Sequence, residues 1–358
     1  MNQVTKLNFK GQSIFLGIDV HLKSWHVSIY TQDLELSTKS FPPCAKILGS
    51  YLKRMYPGAK FFSVYEAGYC GYWIHENLMK EGIQNIIVNP ADVPTKDKEK
   101  RRKNDSVDSR KLARSLRSGE LEGIFIPDKI QQEDKLLIRT RRIFVKRQVG
   151  CKNQIKSTLG FFGIILSDEK INSHWSKAYI NYLRQLCEYD KENSRSVRLT
   201  VLLDLLEQLR KTISDLTRKI RSLSQQSRYK NSVDLLITIP GISILSAMII
   251  LTEFGDIKRY RKLDSLCSYA GIIPNEHSTS DNEKNPTITK RGNKYLKKVI
   301  VDCTWVAVRK DPELLITFKK YQQRNPNMKS IIKVSRKYIN IIRSVLINEK
   351  PYQTIIAQ

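Results

Sequence analysis

Ile14-Phe15-Leu16-Gly17-Ile18-Asp19 is an apolar run that ends in an acid, and Phe61-Phe62-Ser63-Val64-Tyr65-Glu66 repeats the pattern. Ile14, Leu16 and Ile18 alternate, the period-two signature of a half-buried strand. A short turn, His21-Leu22-Lys23-Ser24, leads into Trp25-His26-Val27-Ser28-Ile29-Tyr30 and then Leu34-Glu35-Leu36. Spacing this short suits antiparallel neighbours. Ala45 to Tyr56 reads as a helix, and the strand ending at Glu66 follows. Tyr72 to Glu81 is a helix closed by Gly82, a common C-terminal stop. Asn85-Ile86-Ile87-Val88 reads as a buried strand that Asn89-Pro90 ends. A helix then runs from about Ser106 to Ser118. Three strands, helix, strand, helix, strand, helix predicts a mixed α/β domain with helices covering a sheet.

Four acids stand out in this frame: Asp19, Glu66, and the pair Asp105 and Asp108 in Asn104-Asp105-Ser106-Val107-Asp108. Each has a bland reading. Strands often end in Asp, and acids in a first helical turn favour the helix dipole, with Asp105 a candidate N-cap. The conjunction points further. Asp105 and Asp108, at i and i+3, share a helix face although like charges repel there. Two strand ends and one helix face could converge at one sheet edge, as in the ribonuclease H-like arrangement. There they would bind two magnesium ions about 3.5–4 Å apart, one activating the attacking oxygen and one stabilising the leaving oxygen. Oxygen donors suit magnesium or manganese. The basic flank, Lys100, Arg101, Arg102 and Lys103 before the helix and Arg110 and Lys111 on it, would hold phosphates.

The chain-wide charge agrees. Of 358 residues, 62 are Lys or Arg and 35 are Asp or Glu, a net charge of +27, with a pI near 9.8. So large a cationic excess is offset when the partner is a polyanion, most often nucleic acid. No apolar stretch approaches the roughly 18 residues that would span a bilayer. The start, Met1-Asn2-Gln3-Val4-Thr5-Lys6, lacks the apolar core of a signal peptide, so a cytoplasmic protein without a membrane partner is expected. Cys44, Cys70, Cys151, Cys187, Cys267 and Cys303 are scattered, without a CxxC pair. They read as reduced thiols rather than a zinc site or disulfide frame.

Beyond residue 128 the pattern changes to long helices. One runs from Glu133 to about Phe162. A later one carries Leu199, Leu202, Leu206, Leu209, Ile213, Leu216, Ile220 and Leu223 at spacings of three and four, an a/d heptad seam. At ~1.5 Å per residue the seam is roughly 36 Å long, and it must be covered by the earlier helix folding back or by a second chain. The expectation favours the second chain, in a coiled coil. From Asn231, Ile239-Pro240-Gly241-Ile242 precedes an apolar helix, Ser243 to Phe254. It reads equally as a helix-hairpin-helix phosphate contact or as a tight turn between core helices. Leu263 to Ala270 is a helix, residues 274–290 are polar, and Asn293 to Arg309 is a helix with a basic start. The tail from Pro312 is basic and helical. The expected division is a catalytic domain at 1–128, a helical, coiled-coil oligomerisation region at 129–230 and a mostly α-helical domain at 231–358.

Phe15-Leu16-Gly17-Ile18-Asp19-Val20-His21-Leu22, the Tyr65-Glu66-Ala67 strand end and Asn104-Asp105-Ser106-Val107-Asp108 resemble the DEDD domain of one group of insertion-sequence transposases. That group, the IS-one-ten family, includes the Piv invertase, and its DEDD domain is similar to the RuvC resolvase fold. Ile239-Pro240-Gly241-Ile242, the segment from Tyr269-Ala270-Gly271 to His277-Ser278-Thr279-Ser280, and Ile288-Thr289-Lys290-Arg291-Gly292-Asn293-Lys294 resemble its C-terminal transposase domain in order and spacing. The resemblance implies a RuvC-like N-terminal domain and metal held by Asp19, Glu66, Asp105 and Asp108. It also implies a serine nucleophile at Ser278 that forms a covalent link to DNA. The family's glycines after the serine are replaced by Ser280 and Asp281, which leaves Ser280, and less readily Thr279, as alternatives. Lys290, Arg291 and Lys294 look like phosphate contacts. The implied partners are donor and target DNA, a structured guide (bridge) RNA, and further copies of the chain as dimers assembling into tetramers. Two other readings remain at this point: a RuvC-like Holliday-junction resolvase or nuclease using metal-activated water, and a nucleic-acid-binding protein without chemistry.

Overall fold

The computed structural model describes residues 8–94, 104–164, 175–189, 192–273 and 291–353. They fall into two compact units, Met1–Ile126 and Pro127–Gln358.

The first unit holds the predicted sheet. β1 (Ser13–Val20), β2 (Trp25–Tyr30) and β3 (Glu35–Phe41) are followed by α1 (Ala45–Met55), β4 (Lys60–Glu66), α2 (Trp73–Lys80) and β5 (Ile83–Val88). The strand order is β3-β2-β1-β4-β5. β1 pairs antiparallel with β2 and parallel with β4. This mixed α/β sheet is consistent with the ribonuclease H-like expectation. Its core follows from the alternation. Ile14, Leu16 and Ile18 are fully buried and join Trp25, Val27 and Ile29 against Leu48 and Leu52 of α1 and Ile74 and Leu78 of α2. β3 runs to Phe41, five residues past the predicted Leu36, and most of its side chains are exposed or half-buried. It is an edge strand, where polar side chains replace the apolar alternation that a sequence reader looks for.

The helix α3 (Asp105–Arg117) covers the opposite face of the sheet. Its Leu112 packs with Val64, Val88 and Val93 in a second, smaller core. It approaches β1 at Gly17, where an added Cβ would lie 2.0 Å from the Ser109 carbonyl oxygen and 2.3 Å from the Ala113 nitrogen. Beside this contact the Ser28 and Ser109 hydroxyls, both buried, share a 2.9 Å hydrogen bond. The N-cap is Asn104, whose side-chain oxygen accepts from the Ser106 amide. Asp105 is therefore the first helical residue and not the cap.

The second unit is helical: α4 (Lys129–Phe161), α5 (Lys177–Glu188), α6 (Ser194–Ser224), α7 (Lys230–Leu236), α8 (Ile244–Phe254), α9 (Leu263–Ala270), α10 (Lys294–Lys310), α11 (Pro312–Gln322) and α12 (Asn327–Asn348). The heptad seam lies on α6. Leu199, Leu206, Leu209 and Ile220 are buried, while Leu202, Ile213, Leu216 and Leu223 are half-buried and Leu203 is buried instead. Cys151, Ile155 and Leu159 of α4 and Ile180, Leu183 and Cys187 of α5 cover the seam's first half. Of the two covers the pattern allows, the one present here is the earlier helix of the same chain. The Pro240-Gly241 turn is a packing element. The Tyr338 hydroxyl donates to the Pro240 carbonyl, and the amide of Ser246 in the first turn of α8 is satisfied by Ser243 in a capping box. All six cysteines are free thiols. Among the described residues no helix is long and apolar enough to cross a membrane.

Gly17→Ala tests the docking of α3. The methyl group would collide with backbone rather than with a movable side chain, so the expected loss is about 3 kcal/mol or more, read as a lower denaturation midpoint of the full chain.

Candidate functional site

A period of two places Phe15, Gly17 and Asp19 on the face of β1 that turns away from Ile14, Leu16 and Ile18. On β4 the same rule aligns Phe62, Val64 and Glu66. The parallel register, with Gly17 opposite Val64, carries both strands to the same edge, where each ends in its acid. The contact at Gly17 lays the first turns of α3 over that edge. Strand pairing and one close helix approach thus bring carboxylates from three separate stretches of chain together.

The acids form two linked groups. In the first, His21 Nε2 lies 3.3 Å from Asp19 Oδ2 and 3.6 Å from Asp105 Oδ2. His26, directly opposite Asp19 on β2, places its Nε2 3.5 Å from Asp105 Oδ2. One donor atom each from Asp19, His21 and Asp105 lie within 4.8 Å of one another. In the second group, the Lys111 ammonium is 3.3 Å from Glu66 Oε1 and 3.5 Å from Asp108 Oδ1. Burial pushes the Asp19 carboxyl above its ordinary value; His21 pulls it down, and Asp105 and Asp108 push it up again. A buried carboxylate beside like charges gains from a nearby cation. The convergent oxygen and nitrogen donors fit a divalent ion.

The basic residues divide. Lys111 is buried with its side chain 10% exposed, so it neutralises Glu66 and Asp108 instead of reaching out to phosphate as its place on a basic helix suggested. Arg110 is exposed and donates from Nε to Glu35 Oε1 at 2.8 Å. Lys100, Arg101, Arg102 and Lys103 lie outside the described residues, as do Ser278, Thr279, Ser280 and Lys290. Arg291 and Lys294 are exposed at the start of α10.

The stem of the serine segment is described, and it is tightly built. The Asn293 amide donates to the Tyr269 carbonyl at 2.8 Å. Gly271 and Gly292 both have positive φ, and a Cβ on Gly292 would lie 2.6 Å from Gly271 Cα. Only glycine tolerates both demands without strain. The Asn293 side-chain oxygen caps α10 through the amides of Tyr295 and Leu296, and its Nδ2 donates to Glu253 Oε2 at 2.6 Å. Glu253 has a fully buried side chain. Arg139 grips it with two hydrogen bonds of 2.7 and 2.8 Å, and Lys135 lies 3.2 Å away. Burial alone would raise the Glu253 carboxyl, but Arg139, Lys135 and Asn293 hold it below its ordinary value. Sequence reasoning passed over this network. Its one signal was a lone acid inside the apolar helix that ends at Phe254. A cleft of about 350 Å³ lined by Arg139, Arg142, Lys146, Asn293 and Tyr295 adjoins the stem, with the Arg142 guanidinium 4.1 Å above the Tyr295 ring.

Two family models match the chain. A family model for the IS110 DEDD transposases, described as Transposase, matches residues 16–163. A second, described as Transposase IS116/IS110/IS902 family, matches residues 233–319. The chain is similar to a putative transposase, y4qE, of Sinorhizobium fredii, 26% identical over 69% of this chain and 59% of the relative. It is also similar to the transposase for insertion sequence element IS1328 of Yersinia enterocolitica, 26% identical over 59% of this chain and 60% of the relative. A third relative is the transposase for insertion sequence element IS1111A of Coxiella burnetii, 21% identical over 80% and 77%. The matches to the first two thus span about three fifths of each relative's length.

Two substitutions test the buried ion groups. Lys111→Met leaves Glu66 and Asp108 facing each other without their shared cation. Both acids are partly exposed, so the expected loss is about 1–2 kcal/mol, and added divalent cation should raise the variant's melting temperature more than the wild type's. Glu253→Gln should lower stability at neutral pH by about 2–3 kcal/mol. Because folding depresses the Glu253 value, its stabilisation is present above the ordinary 4.5 and fades as pH falls below it. Chemical denaturation across pH 3–7 should therefore show a flatter acid limb for the glutamine variant.

Proposed function

We propose, from the matches of two IS110-type transposase family models to this chain, that it is a DNA transposase of a mobile element that cuts and rejoins strands through a serine. The observation that carries this reading is the approach of Asp105 and Asp108, on α3, to the strand-end acids Asp19 and Glu66 in a chain of net charge +27. Asp19, Glu66, Asp105 and Asp108 hold divalent metal, magnesium or manganese. When bound, that metal supplies charge stabilisation to the phosphate oxygens.

Ser278 is the nucleophile, with Ser280 next in order. Its oxygen bonds to phosphorus while a strand hydroxyl departs carrying the serine proton. One phosphodiester is exchanged for another, and a second strand's hydroxyl later reverses the exchange and frees the serine. The stem at Gly271, Gly292 and Asn293 anchors both ends of the segment that carries this serine. Lys290, Arg291, Lys294, Arg110 and the basic residues 100–103 hold phosphates. A free serine hydroxyl is a weak nucleophile and needs activation to attack phosphate.

The partners are donor and target DNA and a structured guide RNA, with dimers pairing into tetramers in the cytoplasm. Residues 1–128, 129–230 and 231–358 act as catalytic, helical-linking and serine-bearing parts.

Purified protein should be assayed for strand cleavage, for covalent protein–DNA adducts and for DNA retention, with copurifying RNA sequenced and added back. Asp19→Asn should abolish cleavage while DNA retention stays within about threefold. Ser278→Ala should abolish the adduct. Cleavage that survives Ser278→Ala and Ser280→Ala, with no adduct trapped from wild type, would assign the chain to hydrolytic RuvC-like nucleases. Retention should fall steeply with salt, as phosphate neutralisation demands.

A further inference from the structure

We infer that His21 is a direct ligand of the ion at Asp19 and Asp105, and that its nitrogen turns this site toward transition-metal dications over magnesium. The inference rests on the reading that these two acids hold a divalent ion, and goes beyond it to the ion's identity.

His21 lies just past the end of β1 in the turn to β2, and its amide donates to the Ser24 carbonyl at 3.1 Å. That bond holds the short turn and fixes where the ring emerges. The side chain is 45% exposed, yet its Nε2 points back to the acids, 3.3 Å from Asp19 Oδ2 and 3.6 Å from Asp105 Oδ2. The contact to Asp19 is within hydrogen-bonding reach, so without an ion the ring can serve that acid as a hydrogen-bond partner. One donor atom each from Asp19, His21 and Asp105 lie within 4.8 Å of one another, close enough to converge on a single cation.

The second group differs in kind. Between Glu66 and Asp108 a fixed positive charge is already present as the buried Lys111 ammonium. At Asp19 and Asp105 the ion-pair partners among the described residues are histidines, His21 to both and His26 to Asp105 alone. A neutral imidazole offers a lone pair that a lysine cannot. Magnesium retains oxygen ligands and gives up its water reluctantly. Imidazole suits the later first-row dications, and affinity at a mixed nitrogen and oxygen site rises along that row. An Asp–His–Asp donor set is therefore poor for magnesium discrimination and good for a transition metal.

Manganese is the probe, because it serves as a magnesium substitute and is paramagnetic. Mn²⁺ is titrated into the full chain by electron paramagnetic resonance, and pulsed spectra are read for coupling to a bound imidazole nitrogen. Wild type should show that nitrogen coupling. His21→Gln should lose it and bind Mn²⁺ about tenfold or more weakly, with Mg²⁺ affinity, measured by competition, changed less than about threefold. His26→Gln should keep the coupling, and circular dichroism should match wild type for both variants. Coupling that survives His21→Gln, or that disappears in His26→Gln instead, would overturn the assignment. Asp19→Asn separates the two levels of the argument. If it leaves Mn²⁺ affinity unchanged, the metal reading of the acids fails and takes this inference with it. If it weakens Mn²⁺ binding while His21→Gln does not, the acids hold metal and His21 is no ligand.

Discussion

The contact between Gly17 and α3 governs the first unit. A helix normally rides on a sheet at the distance its side chains set, but here the backbones meet, with the Ser109 carbonyl where a Cβ would otherwise be. Asp108 is adjacent to Ser109 at that point, and Asp105 lies about one turn before it along the helix. Without the close approach, their short side chains would not reach donors at the strand ends. The glycine in the apolar run thus matters through what it lets the helix do, and the acid two residues later depends on it.

That arrangement creates an electrostatic problem, which the fold resolves locally. Four carboxylates near one edge repel, and burial makes the charge on Asp19 harder to hold. Lys111 offsets one half of the cluster from inside the helix, and the two histidines face the other half. The first solution is built into the helix, because the Lys111 side chain lies 3.3 Å from Glu66 and 3.5 Å from Asp108. The second is conditional, because an imidazole can carry a proton or offer a lone pair to a cation.

The second unit solves a comparable problem with Glu253. A carboxylate with no exposed side-chain surface is unfavourable unless its oxygens are satisfied. Arg139 and Lys135 from α4 and Asn293 from the cap of α10 meet that need. The network ties the long basic helix to the stem of the segment that contains Ser278. Truncating any one member leaves charge or polar groups buried without partners, so the stem's position and the helix's position are energetically one feature. The seam on α6 contributes in the same unit, since α4 and α5 bury its first half and thereby orient the face of α4 that carries Lys135 and Arg139.

Much of the first unit was legible in the linear chain. Alternating apolar residues mark β1 and β4 because strand side chains have a period of two, and the order of elements follows from where those runs stop. The four acids were also legible, as isolated carboxylates closing apolar runs or opening a helix in a cationic chain. β3 beyond Leu36 was not, because an edge strand has no buried face to write an apolar pattern. Nor was the cover of the α6 seam, since a heptad stripe specifies that something apolar lies opposite and not which chain it belongs to. Lys111 shows the limit most clearly. In sequence it is one basic residue among several on a charged helix. Only the docking of that helix at Gly17 turns its side chain inward between Glu66 and Asp108, because burial is a property of two surfaces and a sequence pattern describes one.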